Sequence, residues 1–307
     1  MLEKVQVFAP ASVANVGPGY DTFGFAIEEL GDIITLTKRQ DDMLKILPAE
    51  GADLPLEPEN NVATVAIQSL LDHLGSEQGM DVHIKKLFKP GSGLGSSASS
   101  ASGAAFAANI LLGRPLKTPE LLIHALEGEK LASGSIHADN VAPSLLGGFQ
   151  VMRSYEPLDI FQVPTPDNLH VLIIRPDVEV KTSMAKGLIP KEMTVKNARE
   201  QWGNVGALIH AMHSADFELL GRSITDRIAE PYRKQLIPQY DEVKEEAMQL
   251  GSVGFNISGS GPSMFALFKD EKSARVCQKY VKEIYEKTNQ EVMMHLSKIN
   301  PNGCQVI

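Results

Sequence analysis

Hydrophobic and polar residues in the first half of the chain follow two periods, which predicts a mixture of strands and helices. Residues 5–9, 33–37 and 81–87 are short runs of β-branched or alternating hydrophobic side chains, typical of half-buried strands. Residues 62–73 repeat hydrophobic side chains at helical spacing directly after Asn61, a residue that caps helices well. We therefore expect an early amphipathic helix among these strands.

A second helix is expected over 118–133. Residues 118–120 (Thr-Pro-Glu) combine a capping hydroxyl, a proline at the first helical position and an acidic first turn. Residues 11–21 are small, polar and turn-prone, so we expect a loop there. Residues 137–143 are expected to form a loop that leads into a short helix.

The second half places a buried strand before several helices and further strands. The predicted strands are 169–175, 252–257, 263–268 and 291–297, and the predicted helices are 183–189, 195–213, 216–225, 238–250 and 271–287. Composition changes near residues 155–157, which favours two domains, 1–155 and 156–307. The fold class is expected to be α+β with mixed sheets, not a doubly wound parallel sheet.

Residues 90–100 (PGSGLGSSASS) lie between a predicted strand and a predicted helix and carry glycine at alternate positions. Glycine permits positive φ and close approach of the backbone to a ligand. The serines stand where a helix begins, so hydroxyls and unpaired N–H groups converge at the positive end of its dipole. The segment predicts an anion site, with phosphate as the favoured anion and a purely structural turn as the alternative.

A flexible linker and two common nucleotide-binding motifs fit this glycine-serine segment less well. A tether is unexpected directly between a strand and a helix. No Gly-Lys-Ser/Thr follows the glycines, as the usual P-loop requires, and their spacing differs from the dinucleotide fingerprint. A phosphate site of another kind is therefore predicted.

Composition narrows the class of partner. The chain of 307 residues has a net charge of −9, which argues against nucleic acid and anionic membranes as main partners. Its two cysteines, Cys277 and Cys304, fit no metal or redox spacing and are expected to be reduced thiols. Without a visible signal peptide or membrane-spanning run, a cytoplasmic protein is expected.

Four groups of polar residues lie in predicted loops or at helix ends, where a scaffold can present functional groups. They are residues 90–100, Asn15 with Asp21, Glu127 and Glu129 with His137, Asp139 and Asn140, and Arg233 with residues 258–261. On one helix Glu127 and Glu129 point about 200° apart, so only one can face a cleft. The plainer roles for these residues are surface charge for the glutamates, interior packing for His137 and helix capping for Asp139.

Three segments resemble, in order along the chain, the motifs of the GHMP small-molecule kinases. Residues 9–21 (APASVANVGPGYD) are similar to the first motif, 90–100 to the phosphate-binding motif and 257–263 (ISGSGPS) to the third. The resemblance spans nearly the whole chain. It implies a two-domain fold, with a ribosomal protein S5 domain 2-like N-terminal domain and a ferredoxin-like C-terminal domain.

The resemblance also implies an activity. Asn15 and Asp21, together with residues 137–143 (HADNVAP) and 230–233 (EPYR), resemble the branch of the family that phosphorylates L-homoserine in threonine biosynthesis. An ATP-dependent kinase is implied, which transfers the γ-phosphoryl group in line to the side-chain hydroxyl. Mg²⁺ is the implied cofactor and a homodimer the implied assembly.

Matching the motifs residue by residue implies the following roles. ATP phosphates would be bound by Pro90, Gly91, Ser92, Gly93, Leu94, Gly95, Ser96, Ser97, Ala98, Ser99 and Ser100. Ser97 and Glu129 would hold Mg²⁺, and Glu129 and Asn140 would be the catalytic residues. Homoserine would be bound by Asn15, Asp21, His137, Asp139, Thr182, Lys186, Arg233 and Gly259. Carboxylates suit its ammonium group, and a guanidinium suits its carboxylate.

Two positions bear on the expected chemistry. The family usually has an arginine where Lys186 stands, and lysine lacks the fork that binds a carboxylate twice, so we expect affinity to depend more on Arg233. Some relatives have an aspartate where Asn140 stands, and asparagine cannot take a proton near neutral pH. We therefore expect no protein base, and the hydroxyl proton leaves late, to a γ-phosphate oxygen.

Two alternatives stay open from the residues. One is another GHMP kinase with a mevalonate-like or sugar substrate, although Asp21 and Asp139 would make little sense without a positive charge on that substrate. The other is a binding protein that keeps the fold without catalysis. Such a protein would be expected to have lost Gly93, Gly95, Ser97 or Glu129, and the chain retains all four.

Overall fold

The computed structural model describes residues 2–307, which form two sheets surrounded by helices. The first half contains β1 (Lys4–Ala14), β2 (Phe23–Lys38), β3 (Leu44–Ile46), α1 (Val62–Leu74), β4 (Met80–Lys86), α2 (Ser96–Leu111), α3 (Leu122–Ser133), α4 (Ala138–Leu146), β5 (Phe149–Tyr155) and β6 (Leu158–Val163). The second half contains β7 (His170–Pro176), α5 (Thr182–Gly187), α6 (Val195–Ser214), α7 (Phe217–Ser223), α8 (Glu230–Arg233), α9 (Tyr240–Gln249), β8 (Gly254–Ile257), β9 (Met264–Phe268), α10 (Glu271–Lys287), β10 (Val292–Lys298) and β11 (Gln305–Val306).

The first sheet has seven strands, in the order β11-β1-β2-β4-β3 with β5 and β6 added beside β2. The long strand β2 pairs with β4 over one part of its length and with β5 over another. Only the β3–β4 pair is parallel among the described strands. This sheet carries the first half of the chain and presents the end of β1 to the cleft described below.

Helix α2 is buried on all sides and packs against β1, β2, α1, α3 and α4. Its run of serine, glycine and alanine allows this, because small side chains let the helix lie close to the sheet. At Gly103, a Cβ atom would lie 2.6 Å from Ile34 Cγ1 and 2.8 Å from the Cβ of Ala9. The close packing fixes the N-terminal end of α2.

The second sheet has the order β10-β7-β9-β8 with every pair antiparallel. Strands β7, β8, β9 and β10 and helices α9 and α10 follow the β-α-β-β-α-β sequence of a ferredoxin-like unit, with strand order 4-1-3-2. Helices α5 to α8 are inserted after its first strand. The expected two-domain α+β fold is confirmed.

The two halves share a hydrophobic core. Phe25 of the first sheet lies edge-to-face against Phe265 of the second, with ring centroids 5.9 Å apart. The predicted division at Tyr155 and Glu156 falls in the turn between β5 and β6, which pair with each other within the first sheet. By sheet membership the change therefore comes later, between Val163 and His170, and the division as a domain boundary stays a prediction.

Most predicted elements match the observed ones closely, and several details differ. Strand β1 extends to Ala14, so the expected loop over 11–21 begins only at Asn15. The helix expected from 118 begins as a 3-10 turn (Thr118–Leu121) with Lys117 and not Thr118 at the N-cap position, where the Lys117 N–H donates to Glu120 Oε2 (2.6 Å). Strands β3, β5, β6 and β11 and helix α8 were not predicted. The loop expected over 137–143 is wrong, because α4 begins at Ala138. None of the helices in residues 2–307 is both long and apolar enough to cross a membrane.

Candidate active site

A cleft of about 670 Å³ is lined by residues of both halves of the chain. From the expected set it is lined by Asn15, Asp21, Pro90, Gly91, Ser92, Gly93, Gly95, Ser96, Ser97, Glu129, His137, Asp139, Asn140, Thr182, Lys186, Arg233 and Gly259. Residues that lie more than a hundred positions apart in the sequence therefore meet in one place.

The glycine-serine segment enters the cleft through left-handed turns. Gly91, Gly93 and Gly95 have φ values of 69°, 79° and 66°, a region that favours glycine. Gly95 caps α2, and Ser96 and Ser97 form the first turn at the cleft edge. The N–H groups of that turn lack helical partners, so they are available to an anion.

Neighbouring motifs hold this segment in place. The Leu94 carbonyl accepts a hydrogen bond from the N–H of Ser12 (3.0 Å). The Gly93 carbonyl accepts one from Ser258 Oγ (2.6 Å), and the Ser92 carbonyl accepts one from the N–H of Ser263 (3.2 Å). At Gly93, a Cβ atom would lie 2.7 Å from the carbonyl oxygens of both Ser258 and Gly261. The first and third motifs therefore fix the path of the second.

Two serine hydroxyls of the segment are buried and face no protein partner. Ser92 Oγ and Ser96 Oγ have no hydrogen-bond partner among the described residues. Both residues line the cleft. Because a buried hydroxyl without a partner is costly, these positions suit a ligand that supplies acceptor oxygens, as a phosphate does.

Four residues of the expected phosphate-binding segment are placed elsewhere. Leu94 lies in the hydrophobic core, and the Ala98 side chain is buried against the neighbouring elements. Ser99 Oγ donates to the Ala9 carbonyl (2.7 Å), and Ser100 Oγ donates to Asp32 Oδ2 (2.7 Å). Helical periodicity accounts for Ala98, Ser99 and Ser100, since only the first residues of α2 face the cleft, whereas Leu94 precedes the helix.

One end of the cleft is acidic. Asn15 Nδ2 donates to the Gly259 carbonyl (3.0 Å), and its Oδ1 accepts from the N–H of Asp21 (3.1 Å). Asp139, in the first turn of α4, is buried beside this loop, and its Oδ1 has no partner among the described residues. Two carboxylates therefore meet where a cationic group would be bound favourably.

Burial raises the pKa of both carboxylates, and repulsion from Asp21 adds to the effect at Asp139. Burial and the nearby Asp21 raise the pKa of Asp139 to about 7. Burial also raises the pKa of Asp21, while His137, Lys186 and Arg233 oppose the shift. A positively charged ligand would restore the ionised form of both groups.

A basic group borders this acidic end, since the Gly259 carbonyl that accepts from Asn15 also accepts from Arg233. Arg233, at the C-terminus of α8, is buried and donates to the carbonyl groups of Ala185 (3.2 Å) and Gly259 (2.7 Å). Its guanidinium lies 5.5 Å from the centre of the Tyr20 ring. This arrangement holds the guanidinium in one orientation, as recognition of a planar carboxylate requires.

Lys186 is held less tightly than Arg233. It lies in the short helix α5, which begins at Thr182, and its Nζ donates to Ser135 Oγ (2.8 Å) near the protein surface. Thr182 itself lines the cleft. Lysine is thus present where the resemblance implies an arginine, with its charge near the cleft but without a rigid fork.

The structure distinguishes the two glutamates of α3. Glu129 is buried in the cleft wall, whereas the Glu127 side chain is 52% exposed and lies 3.9 Å from Lys130. Glu129 Oε1 lies 3.6 Å from His137 Nδ1, and this carboxylate raises the pKa of the His137 imidazole. Glu127 is thus a surface charge and Glu129 a cleft residue.

Asn140 follows Asp139 in α4 and lies beside the phosphate segment. Its Oδ1 accepts a hydrogen bond from the Ser12 hydroxyl (3.1 Å). The amide oxygen is thereby occupied, and the NH₂ group is the part left for a ligand.

Several cleft residues were missed by sequence reasoning. They are Tyr20, Ala132, Lys181, Ser183 and Ser260. Tyr20 and Ser260 stand inside motifs that the sequence had singled out, so the motifs were a usable signal for them. Ala132, Lys181 and Ser183 have no such signal, because their place depends on how α3 and α5 pack.

Comparison with known proteins shows the family of both halves of the chain. Residues 61–148 match the GHMP kinases N-terminal domain, and residues 208–287 match the GHMP kinases C-terminal family. The chain is 42% identical over 247 residues to a homoserine kinase of Chlorobium phaeobacteroides (strain BS1), covering 76% of this chain and 77% of the relative. It is also 42% identical over 234 residues to one of Pyrococcus abyssi (strain GE5 / Orsay), with the same shares covered.

A solved structure extends the likeness to the whole chain. The crystal structure of homoserine kinase from Cytophaga hutchinsonii is 43% identical and superposes with a TM-score of 0.97. The match covers 100% of this chain and 98% of the other.

Proposed function

The chain belongs to the homoserine kinases of the GHMP kinase family, and on this premise we propose that its cleft performs ATP-dependent phosphorylation of L-homoserine with the residues described above. The product is O-phospho-L-homoserine. Family membership establishes the activity but not the role of each residue, so we propose these roles here.

One observation supports the residue assignment most strongly. A single cleft brings together the carboxylates of Asp21 and Asp139, the guanidinium of Arg233 and the N-terminus of α2. An amino acid with a hydroxyl side chain has an ammonium group for the two carboxylates and a carboxylate for the guanidinium. Its hydroxyl can accept a phosphoryl group from a nucleotide bound at the N-terminus of α2. Neither mevalonate nor a neutral sugar uses the acidic end.

The phosphates of ATP would be bound by the 90–97 segment and the first turn of α2. Ser92 and Ser96 would donate their buried hydroxyls, and the N–H groups of the turn would add to them. Ser97 and Glu129 offer hard oxygen ligands in the same cleft, which suits Mg²⁺ held by few protein groups. When bound, Mg²⁺ supplies neutralisation of phosphate charge.

The homoserine hydroxyl would be oriented by the ends of the same molecule. Asp21, Asp139 and Asn15 fix the ammonium, and Arg233 fixes the carboxylate, which leaves the side chain directed toward the phosphate segment. The Asn140 NH₂ group donates to the hydroxyl or to a phosphate oxygen and cannot act as a base. The proton leaves to a γ-phosphate oxygen as the new bond forms.

The function is tested by measuring ADP release with a panel of acceptors. L-Homoserine, 4-hydroxybutanoate (the analogue without the amine) and mevalonate are compared at equal concentrations. Loss of a charge-assisted contact is worth about 2 kcal/mol, so we expect homoserine to be preferred about 30-fold or more over 4-hydroxybutanoate. Preference for mevalonate would favour the other GHMP kinases, and ADP release with none of them would favour a binding protein.

Replacing Asn140 by alanine is expected to slow turnover only modestly. One donated hydrogen bond is worth about 1 kcal/mol, so kcat should fall roughly 5-fold to 10-fold. The measurement is steady-state kcat with saturating ATP and homoserine. Near-complete inactivation would contradict a donor role and point to a function in proton transfer, and Asn140→Asp gaining activity would do so as well.

The pH dependence should follow the ionisation of Asp139. Burial holds its pKa at about 7 in the free protein, so the carboxylate that binds the ammonium is mostly protonated below that value. We expect kcat/KM for homoserine to rise about 10-fold between pH 6 and pH 8. The free protein loses stability as pH rises through 7, and the ammonium offsets this, so homoserine should raise Tm more at pH 8 than at pH 6.

Asp139→Asn is the control for this profile. It has no carboxyl group to titrate, so its weaker kcat/KM should be flat over the same range. A variant that kept the wild-type slope would assign the profile to another group, such as His137.

We also propose that the protein is a homodimer in the cytoplasm. The family resemblance supports a homodimer, which light scattering of the purified protein tests. The buried, free thiols of Cys277 and Cys304 and the net charge of −9 support a cytoplasmic location.

A further inference from the structure

Helix α6 buries one polar side chain, Gln201, among otherwise apolar buried residues. Its amide is fully used. Nε2 donates to the Pro18 carbonyl (2.7 Å) and lies 3.4 Å from Asp226 Oδ1, while Oε1 accepts from the N–H of Arg227 (2.8 Å). A buried amide with all its groups satisfied is a specific link between the segments that it joins.

Asp226 continues this link. Its buried carboxylate accepts hydrogen bonds from the N–H groups of Ile228 (2.6 Å), Ala229 (3.1 Å) and Glu230 (2.9 Å). These donors form the turn that begins α8. The carboxylate therefore has the part of a capping group and fixes the start of a helix only four residues long.

The joined segments carry the acidic and the basic groups of the cleft, which lie side by side at the Gly259 carbonyl. Pro18 lies in the loop between Asn15 and Asp21, and α8 ends at Arg233. Gln201 itself does not line the cleft. It contacts both segments from outside the cleft.

A second anchor holds α8 independently. Glu230 accepts hydrogen bonds from Tyr240 Oη (2.9 Å) and Asn256 Nδ2 (2.9 Å), which tie the helix to α9 and β8. The loop at Pro18 gains no such tie from Glu230. Within the cleft, Asn15 and Arg233 also share the Gly259 carbonyl. Loss of Gln201 should therefore loosen the loop relative to α8 away from that shared contact, without releasing α8 from the second half.

We propose that Gln201, together with Asp226, is a positioning residue that sets the ammonium-binding loop and the carboxylate-binding Arg233 at the spacing an α-amino acid requires. The proposal rests on the function proposed above. Both charged groups of homoserine are attached to one carbon atom, so their binding groups must be held at a fixed separation. A small change of that separation weakens both contacts at once.

The test is Gln201→Leu, which keeps the size of the side chain and removes all three polar contacts. We expect KM for homoserine to rise about 10-fold while KM for ATP stays within about 2-fold, since the phosphate segment is held by other residues. Because Gln201 acts partly through Arg233, introducing Gln201→Leu into the Arg233→Ala variant should raise KM for homoserine by only about a further 3-fold.

Asn204→Ala is the matched control. Asn204 lies one turn further along α6 and donates to the Thr225 carbonyl (3.3 Å), so it joins α6 to the same segment without reaching the loop at Pro18. Its homoserine KM should stay at the wild-type value. If Gln201→Leu does not fold, Gln201→Glu keeps the shape and the acceptor for Arg227 but loses the donor toward Pro18, and it should raise the same KM.

Three results would overturn the proposal. They are an unchanged homoserine KM in a folded Gln201 variant, equal rises in both KM values, and full additivity with Arg233→Ala. Each is distinct from failure of the proposed function, which would appear as absence of homoserine turnover in the wild-type protein.

Discussion

Gly93→Ala should reduce kcat/KM for phosphoryl transfer about 100-fold or more, because displacement of a catalytic segment by about 1 Å has an effect of that size. The added Cβ would lie 2.7 Å from two backbone carbonyl oxygens, those of Ser258 and Gly261. Backbone cannot move aside as a flexible side chain can, and φ is 79° at this position. The segment must shift, and the groups expected to bind phosphate shift with it.

Gly113→Ala separates this displacement from backbone strain. Gly113 also has a left-handed φ, 86°, but a Cβ there would meet nothing within 4 Å. It should lose about 1 kcal/mol of unfolding free energy with wild-type kinetics. Equal kinetic losses in both variants, measured beside thermal unfolding, would show that strain and not crowding at Gly93 is responsible.

Arg233→Ala should raise KM for homoserine about 10-fold to 100-fold and leave KM for ATP nearly unchanged. A charge-assisted contact is worth about 1.5–3 kcal/mol, and Arg233 is the buried, oriented cation of the cleft. Arg233→Lys should recover only part of the loss, since an ammonium cannot form two parallel bonds to a carboxylate. Steady-state kinetics with each substrate varied in turn gives the separation.

Lys186→Ala should have a smaller effect on the same constant. Its ammonium lies near the surface and already donates to Ser135, so solvent screens its charge. Lys234→Ala, at the position next to Arg233 but paired with Asp241 on the surface, should have none. If Lys186→Ala matched Arg233→Ala, the expectation that affinity depends more on the arginine would be wrong.

Much of the fold followed from local sequence signals. The last helix occupies the predicted residues, and Asn61 caps α1 through a hydrogen bond from the N–H of Ala63 (3.0 Å). The motif at 90–100 also lies in the predicted place, following β4 and running into the first turns of α2. Periodicity and capping are properties of neighbouring residues, so a single sequence contains them.

Several features depended on contacts that a local pattern does not contain. Composition near Tyr155 to Pro157 predicted a domain boundary, and the structure places these residues in the turn of a hairpin that belongs to the first sheet. Ser99 and Ser100 looked like part of a phosphate site because they stand among other serines. Helix geometry turns their hydroxyls toward Ala9 and Asp32 instead.

Residues that support the site through distant contacts could not be recognised from the sequence for the same reason. Gln201 resembles any polar residue on an amphipathic helix until α6 packs over the loop at Pro18. Tyr20 becomes a partner of Arg233 only in the folded cleft. Such roles rest on contacts between residues about two hundred positions apart in the chain, which spacing along the sequence cannot express.

The short strand β11 has a consequence for how the protein unfolds. It pairs with β1, with Val306 opposite Val7, so the chain returns to the first sheet after it has completed the second. The ferredoxin-like unit is thus inserted into the first unit and not appended to it. Because that insertion closes a loop anchored at both ends, and the halves share a core at Phe25 and Phe265, neither half can be lost alone, and denaturation should be one cooperative transition.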